Sequence, residues 1–152
     1  NDNANGQIIV SGDKEGINKF SNILKEKKIK FVPLKVSAPF HCSLMKPAAL
    51  SMKEKILNTE FNQPNYKIIN NVTAREEKDI EIIKNFLIDQ IFSTVRWRET
   101  LLNIFSKGVE KFIEIGPGKA LTGMVKRTIK EKNVNSFSIN SIADIKNFKD
   151  EF

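Results

Sequence analysis

The chain has 152 residues, 40% of them apolar and 28% charged, with a formal net charge of +7 and a pI near 9.5. This length and apolar share suffice for a core-bearing domain, and the lack of an apolar run of membrane-spanning length or of a basic, apolar leader sets the expectation of a soluble, cytoplasmic protein. One cysteine and one histidine exclude an internal disulfide and a Cys/His zinc cluster.

An apolar run over residues 8–10 predicts a short buried strand. Asp13 is placed to cap a helix reaching about residue 27, in which Ile17, Phe20, Ile23 and Leu24 have helical spacing. Residues 31–36 read as a returning strand, at an edge or irregular because Pro33 has no N–H to give a ladder. A helix is expected from 44 or 47 to about 57, with Met45, Ala48, Ala49, Met52 and Ile56 forming an apolar face. Residues 66–72 read as a strand, 80–92 as an apolar-rich helix, and 97–107 as a helix with Leu101, Ile104 and Phe105 on one side and Gly108 as its stop. A buried strand over 111–115 leads through the turn Gly116-Pro117-Gly118 into a helix over 121–132. A short strand over 136–139 and a helix over 141–148 complete the pattern. Alternation of strands and helices predicts an α/β fold with largely parallel strands.

The only histidine, His41, lies in Ser37-Ala38-Pro39-Phe40-His41-Cys42-Ser43-Leu44-Met45, between an apolar run and a helical pattern. Imidazole exchanges a proton near neutrality, so a histidine at the end of a strand is a candidate acid/base, a structural or merely exposed histidine being the alternative. Cys42 is a poor partner for it, because adjacent residues project in different directions, and reads as a small buried residue. The excess positive charge suits an acidic partner. It is dispersed over 25–28, 126–127 and 130–132, mixed with acids and without an aromatic stripe, which argues against nucleic acid.

The pattern Ser-x-Pro-x-His-Cys/Ser-x-Leu-Met around His41 resembles the histidine segment of malonyl-CoA:acyl carrier protein transacylases. Four further segments resemble that family in its order: Asn1-Asp2-Asn3-Ala4-Asn5-Gly6-Gln7, Asn70-Asn71-Val72-Thr73, the stretch from Gln90 to Trp97, and the stretch from Glu114 to Gly123. The resemblance implies an α/β fold made of the C-terminal part of an α/β-hydrolase-like acyltransferase domain over 37–152 and the end of a ferredoxin-like small subdomain over 1–36. It implies malonyl transfer from coenzyme A to acyl carrier protein by a Ser-His ping-pong mechanism in fatty acid synthesis, with no cofactor beyond the substrates malonyl-CoA and phosphopantetheinylated acyl carrier protein. The family's nucleophile sits in a Gly-x-Ser-x-Gly elbow beside an oxyanion hole, and no serine here has glycines two residues away on both sides. The chain is therefore expected to be roughly the C-terminal half of such an enzyme, inactive alone, with the upstream half as a partner beside acyl carrier protein and the coenzyme A thioester, and with no membrane or nucleic acid.

By the same resemblance, His41 is the general base and Gln90 supports it through its main-chain carbonyl. Phe40 resembles the aromatic of malonyl-selective polyketide acyltransferases, where bulk crowds an α-methyl group, with core packing as its alternative. Asn3 is a substrate-binding candidate and, with Gln7, could instead hold a turn. Arg96 and Trp97 read as a structural clamp. Lys126 and Arg127 are docking candidates for an acidic carrier protein, against a plain solvated helix face. Gly116-Pro117-Gly118 reads as a tight turn more than a phosphate cradle, since Pro117 removes a donor. A polyketide acyltransferase fragment is the competing enzyme reading, and a non-catalytic binding fragment for carrier protein or nucleic acid is the competing reading of another class.

Overall fold

The computed structural model describes residues 1–150. It divides into two compact units, one holding Asn1 and residues 9–96, the other residues 2–8 with the chain from Trp97 onward.

In the first unit, α1 (Lys14–Glu26) begins at Asp13, whose side chain accepts from the Gly16 amide at 2.7 Å. That bond to a helix N-terminus holds the Asp13 carboxyl below its usual range. None of α1 is buried, and Phe20 and Ile23 of its apolar face are exposed. A 3₁₀ turn, Ser43–Met45, runs directly into α2 (Lys46–Asn58), with Pro47 in the first turn where its missing donor costs nothing. α2 packs on α3 (Ile80–Asp89), and Ala49 and Ile88 are the apolar residues these helices bury. Asp79 caps α3 by accepting from the amides of Glu81 and Ile82. Lys84 is buried on α3, its ammonium donating to the Leu57 carbonyl at 2.9 Å, 3.3 Å from a Glu81 carboxylate oxygen and lying over the Phe61 ring. Each neighbour offsets part of the cost of desolvating that charge. Before α3, an antiparallel hairpin pairs β3 (Ile68–Ile69) with β4 (Glu76–Glu77).

In the second unit, β1 (Asp2–Ala4) and β2 (Gln7–Ile8) form an antiparallel hairpin whose turn places Gly6 at φ +74°, a left-handed conformation that favours glycine. The helix α4 (Trp97–Ser106) packs on β1 and on α5 (Ala120–Thr128). Strands β5 (Lys111–Ile115) and β6 (Asn135–Ile139) pair in parallel from Lys111 opposite Asn135 to Ile115 opposite Ile139, with α5 as the crossover between them. The helix α6 (Ile142–Asp150) follows β6. The core gathers Leu101, Val125 and Ile129, ringed by Trp97, Phe105, Phe112, Met124 and Val134. Burying a leucine such as Leu101 is worth roughly 1.5–3 kcal/mol.

The α/β class holds, and the parallel arrangement is realised in β5 and β6, while the other two strand pairs are antiparallel hairpins. The strand expected over 31–36 is not formed. Val32, Leu34 and Val36 are exposed, Pro33 cannot donate, and among the described residues no strand pairs with this segment. The strand expected to be buried over 8–10 contracts to Ile8, the last residue of β2, and Ile8 and Val10 are exposed; that over 66–72 contracts to β3, because Asn70 turns the chain back; and β5 forms over 111–115 but exposes Ile113 and Ile115 instead of burying them. The helix expected over 121–132 stops at Thr128, where Ile129 turns extended and enters the core.

A bidentate ion pair joins β1 to α4: Arg98 Nε donates to Asp2 Oδ1 at 2.8 Å and Arg98 Nη2 to Asp2 Oδ2 at 2.7 Å. The hydrogen bond from Arg98 holds the Asp2 carboxyl below its ordinary 3.8. A depressed carboxylate stabilises the fold above its unfolded pKa, and that contribution is lost as pH falls through the folded value. Arg98→Ala is therefore expected to lower stability at neutral pH and to flatten the loss of stability below about pH 4 relative to the parent chain. Urea melts at neutral and acid pH check this, and an unchanged acid dependence in the variant would contradict it.

Candidate active site

His41 sits in the tight bend that precedes the Ser43–Met45 turn. Pro39 fixes the approach, Phe40 N–H bonds back to the Ala38 carbonyl, and His41 takes φ +60°. The left-handed region is uncommon for residues other than glycine, with histidine among the more tolerated, and it costs on the order of 1–3 kcal/mol. Strain of this kind persists where surrounding contacts over-determine it. Here the next residue contributes one: Cys42 Sγ donates to the Pro39 carbonyl at 3.2 Å, closing the bend on itself. Cys42 is only half-buried, against the expected buried residue, and its thiol is directed to backbone rather than to His41.

The half-buried imidazole places Nδ1 2.9 Å from the main-chain oxygen of Gln90, which lies 49 residues further along the chain. Gln90 is the residue on which α3 ends. The last carbonyls of a helix have no intrahelical donor and carry the negative end of its dipole, so this oxygen is available and attracts an N–H. A carbonyl only accepts, so Nδ1 is the protonated nitrogen and Nε2 presents its lone pair. The bond thus defines a tautomer suited to taking a proton at Nε2.

Around this pair the hairpin turn between β3 and β4 is built on Asn70. Its Oδ1 accepts from the amides of Val72 and Thr73 at 3.0 and 2.8 Å, and its Nδ2 donates to the Arg75 carbonyl at 3.1 Å. Ala74, fully buried, closes the turn at φ +56°. Asn71 then donates from Nδ2 to Gln90 Oε1 at 3.0 Å, and its own carbonyl accepts from the Arg96 amide. Arg96 Nη1 also donates to the Val72 carbonyl at 3.3 Å. Sequence reasoning singled out the Asn70-Asn71-Val72-Thr73 segment without assigning Asn71 a contact. The segment read as part of a strand over 66–72, so neither the Asx turn on Asn70 nor the reach of Asn71 to Gln90 was anticipated.

The remaining candidates lie each within its own unit. Phe40 lies in the bend directly before His41 and is 46% exposed. Asn3 is buried within β1, in the second unit. Lys126 and Arg127 are exposed on α5 of that unit, where the Arg127 guanidinium donates to Gln7 Oε1. Trp97 is half-buried against the Leu101 core. The turn after β5 has Gly116 at φ +139° and Gly118 at φ +99°, with the Gly118 amide donating to Asn140 Oδ1. Glu114 reaches back over the start of α5, accepting from the amides of Thr122 at 2.8 Å and Leu121 at 3.2 Å and from the Thr122 hydroxyl. Those bonds hold the Glu114 carboxyl below its usual range. The carboxylate occupies the place an anion would take, which makes this a capped turn rather than a phosphate cradle. Among the described residues no group of three His, Cys, Asp or Glu could hold a metal, and no helix is long and apolar enough to cross a membrane.

Comparison with known proteins places the chain as a whole. The acyl transferase domain family matches residues 2–150. The malonyl CoA-acyl carrier protein transacylase of Haemophilus influenzae is 36% identical over 153 residues, covering 100% of this chain and 48% of that protein. The transacylase of the same name from Bacillus subtilis is 42% identical over 126 residues, covering 82% of this chain and 40% of that protein. A crystal structure of an acyl carrier protein S-malonyltransferase from Vibrio cholerae superposes with a TM-score of 0.84 at 40% identity, over 90% of this chain and 44% of that one. A malonyl-transacylase solved in complex with a type II polyketide synthase acyl-carrier protein superposes equally, at 0.84 and 36% identity, over 93% of this chain and 45% of that one. The chain thus spans about half the length of the relatives it matches. With a family match across nearly all of its residues, the chain belongs to the acyl transferase domain family.

Proposed function

We propose that this chain supplies the general base for malonyl transfer from coenzyme A to acyl carrier protein in fatty acid synthesis, acting with an upstream half that brings a serine nucleophile. The observation that carries the reading is the hydrogen bond between His41 Nδ1 and the Gln90 carbonyl, which leaves Nε2 free to accept a proton. The relatives named above give the substrates. In the first half-reaction, Nε2 removes the serine proton as its oxygen attacks the malonyl thioester; the C–S bond breaks and the imidazolium returns the proton to the coenzyme A thiolate. In the second, the phosphopantetheine thiol of the carrier protein gives its proton to Nε2 as sulfur attacks the malonyl ester, and the serine oxygen recovers it. Both halves need only the substrates and no resident cofactor.

The upstream half is also proposed as a binding partner. The chain matches about half of its relatives' length, and Ile8, Val32 and Ile115 are 71%, 80% and 81% exposed, apolar surface that favours burial. Asn3 and Phe40 are proposed to serve substrate binding, Phe40 by crowding an α-methyl group. Lys126 and Arg127 are proposed to meet acidic carrier protein, Lys126 with the greater freedom because Arg127 is engaged by Gln7.

Joining the chain to the Gly-x-Ser-x-Gly half of a relative tests the reading. His41→Ala is expected to reduce transacylase turnover by about two to four orders of magnitude with folding intact, and a loss under about tenfold would remove His41 from the chemistry. In the same assembly Phe40→Ala is expected to raise methylmalonyl over malonyl transfer by about tenfold, on the scale of one methyl group in a pocket; competition assays with both thioesters measure it. Lys126→Glu is expected to raise KM for carrier protein about three- to tenfold, more at low salt, without changing hydrolysis of malonyl-CoA. Tighter binding of the chain to DNA than to carrier protein at matched salt would instead favour the nucleic-acid reading.

A further inference from the structure

The bond that orients His41 depends on a carbonyl at the end of a helix, and such ends fray. Gln90 has left the last turn of α3, and its amide N–H is retained by the Phe86 carbonyl. Its carbonyl faces His41, and the side chain is what remains to fix the residue from the other side. Asn71 takes hold of that side chain, with Nδ2 3.0 Å from Gln90 Oε1. Asn71 is itself a rigid anchor. Its neighbour Asn70 organises the turn through three accepted hydrogen bonds, from Val72 N–H, Thr73 N–H and the Thr73 hydroxyl, and the Arg96 amide holds the Asn71 carbonyl.

We infer that Asn71 is a positioning residue for the acyl-transfer base: by tethering the Gln90 amide it fixes the Gln90 carbonyl and, through it, the tautomer of His41. The inference rests on the proposed role of His41 as base. It assigns a purpose to the Gln90 side chain, which a role confined to its main chain leaves idle. The side-chain bond of Asn71 is made to Gln90, so its influence on His41 is transmitted through Gln90. A long, freely rotating glutamine side chain becomes a strut between a hairpin turn and a helix end, and the imidazole reads the position of that strut.

Because His41 is the only histidine, its ring nitrogens give an unambiguous signal in long-range ¹H–¹⁵N spectra of the labelled chain. In mildly alkaline buffer, with the ring neutral, the parent is expected to hold the Nδ1–H form, opposite to the Nε2–H preference of a histidine side chain free in water. Asn71→Ala and Gln90→Leu should each shift the tautomer ratio toward Nε2–H by about three- to tenfold, the scale of one net hydrogen bond. The double variant should shift it no further than either single one, since both remove the same bond. Asn71→Asp should restore most of the parent ratio, with the Gln90 amide turned over so that Nε2 donates to the carboxylate. Gln90→Leu preserves the hairpin anchor and decides the matter if Asn71→Ala lowers the folded population. A parent ring in the Nε2–H form would overturn the reading of His41 itself. A parent in the Nδ1–H form with unshifted variants would overturn only the tether.

Discussion

A helix ends with carbonyls that nothing inside it can satisfy, and in the first unit that constraint is met across a long stretch of chain. The Gln90 oxygen, left over by α3, accepts a hydrogen bond from His41 Nδ1–H. One hydrogen bond therefore closes a helix, holds a strained bend and selects a tautomer. The bend at φ +60° would be an ill-favoured conformation in isolation; with its imidazole drawn to a helix dipole and its thiol neighbour folded back on Pro39, it has partners on both sides. The same economy recurs in the second unit, where Glu114 satisfies the donors at the opposite kind of helix end and Asp2 and Arg98 fasten a hairpin to α4.

What could be read from the residues was what repeats locally. Ile17, Phe20, Ile23 and Leu24 announce α1 through their spacing, and Asp13 announces its start. Lys111 to Ile115 followed by two glycines announces a strand, a turn and a helix, and all three are found in place. The short strands were hidden for a physical reason: β1 is Asp-Asn-Ala and β4 is Glu-Glu, residues with no intrinsic strand preference, paired because of the turns between strands rather than their own side chains. Asn5-Gly6 was the available signal for the first hairpin. The segment 31–36 erred the other way, since its apolar residues promised a strand that finds no partner among the described elements.

Long-range polar chemistry was the least legible part of the site. His41 stood out by its rarity and Gln90 by resemblance, but nothing in a linear pattern says that Asn71 and Gln90, 19 residues apart, share a hydrogen bond. Glu114 looked like an alternate position of a strand until its carboxylate was seen over the start of α5. Such contacts depend on where two turns place side chains in space, a matter of tertiary geometry that periodicity does not encode.

The left-handed backbone at position 41 also limits how this site could be re-engineered or could drift. A replacement base is screened twice, once for its proton affinity and once for its tolerance of positive φ. Branching at Cβ fails the second screen, and lysine or glutamate pay for it without any local bond to the backbone. Asparagine and aspartate pass it, but the first has no basic nitrogen and the second is too short to put an oxygen where Nε2 lies. Backbone shape thus constrains position 41 alongside side-chain chemistry, and a redesign there would have to begin with the bend and only then change the side chain.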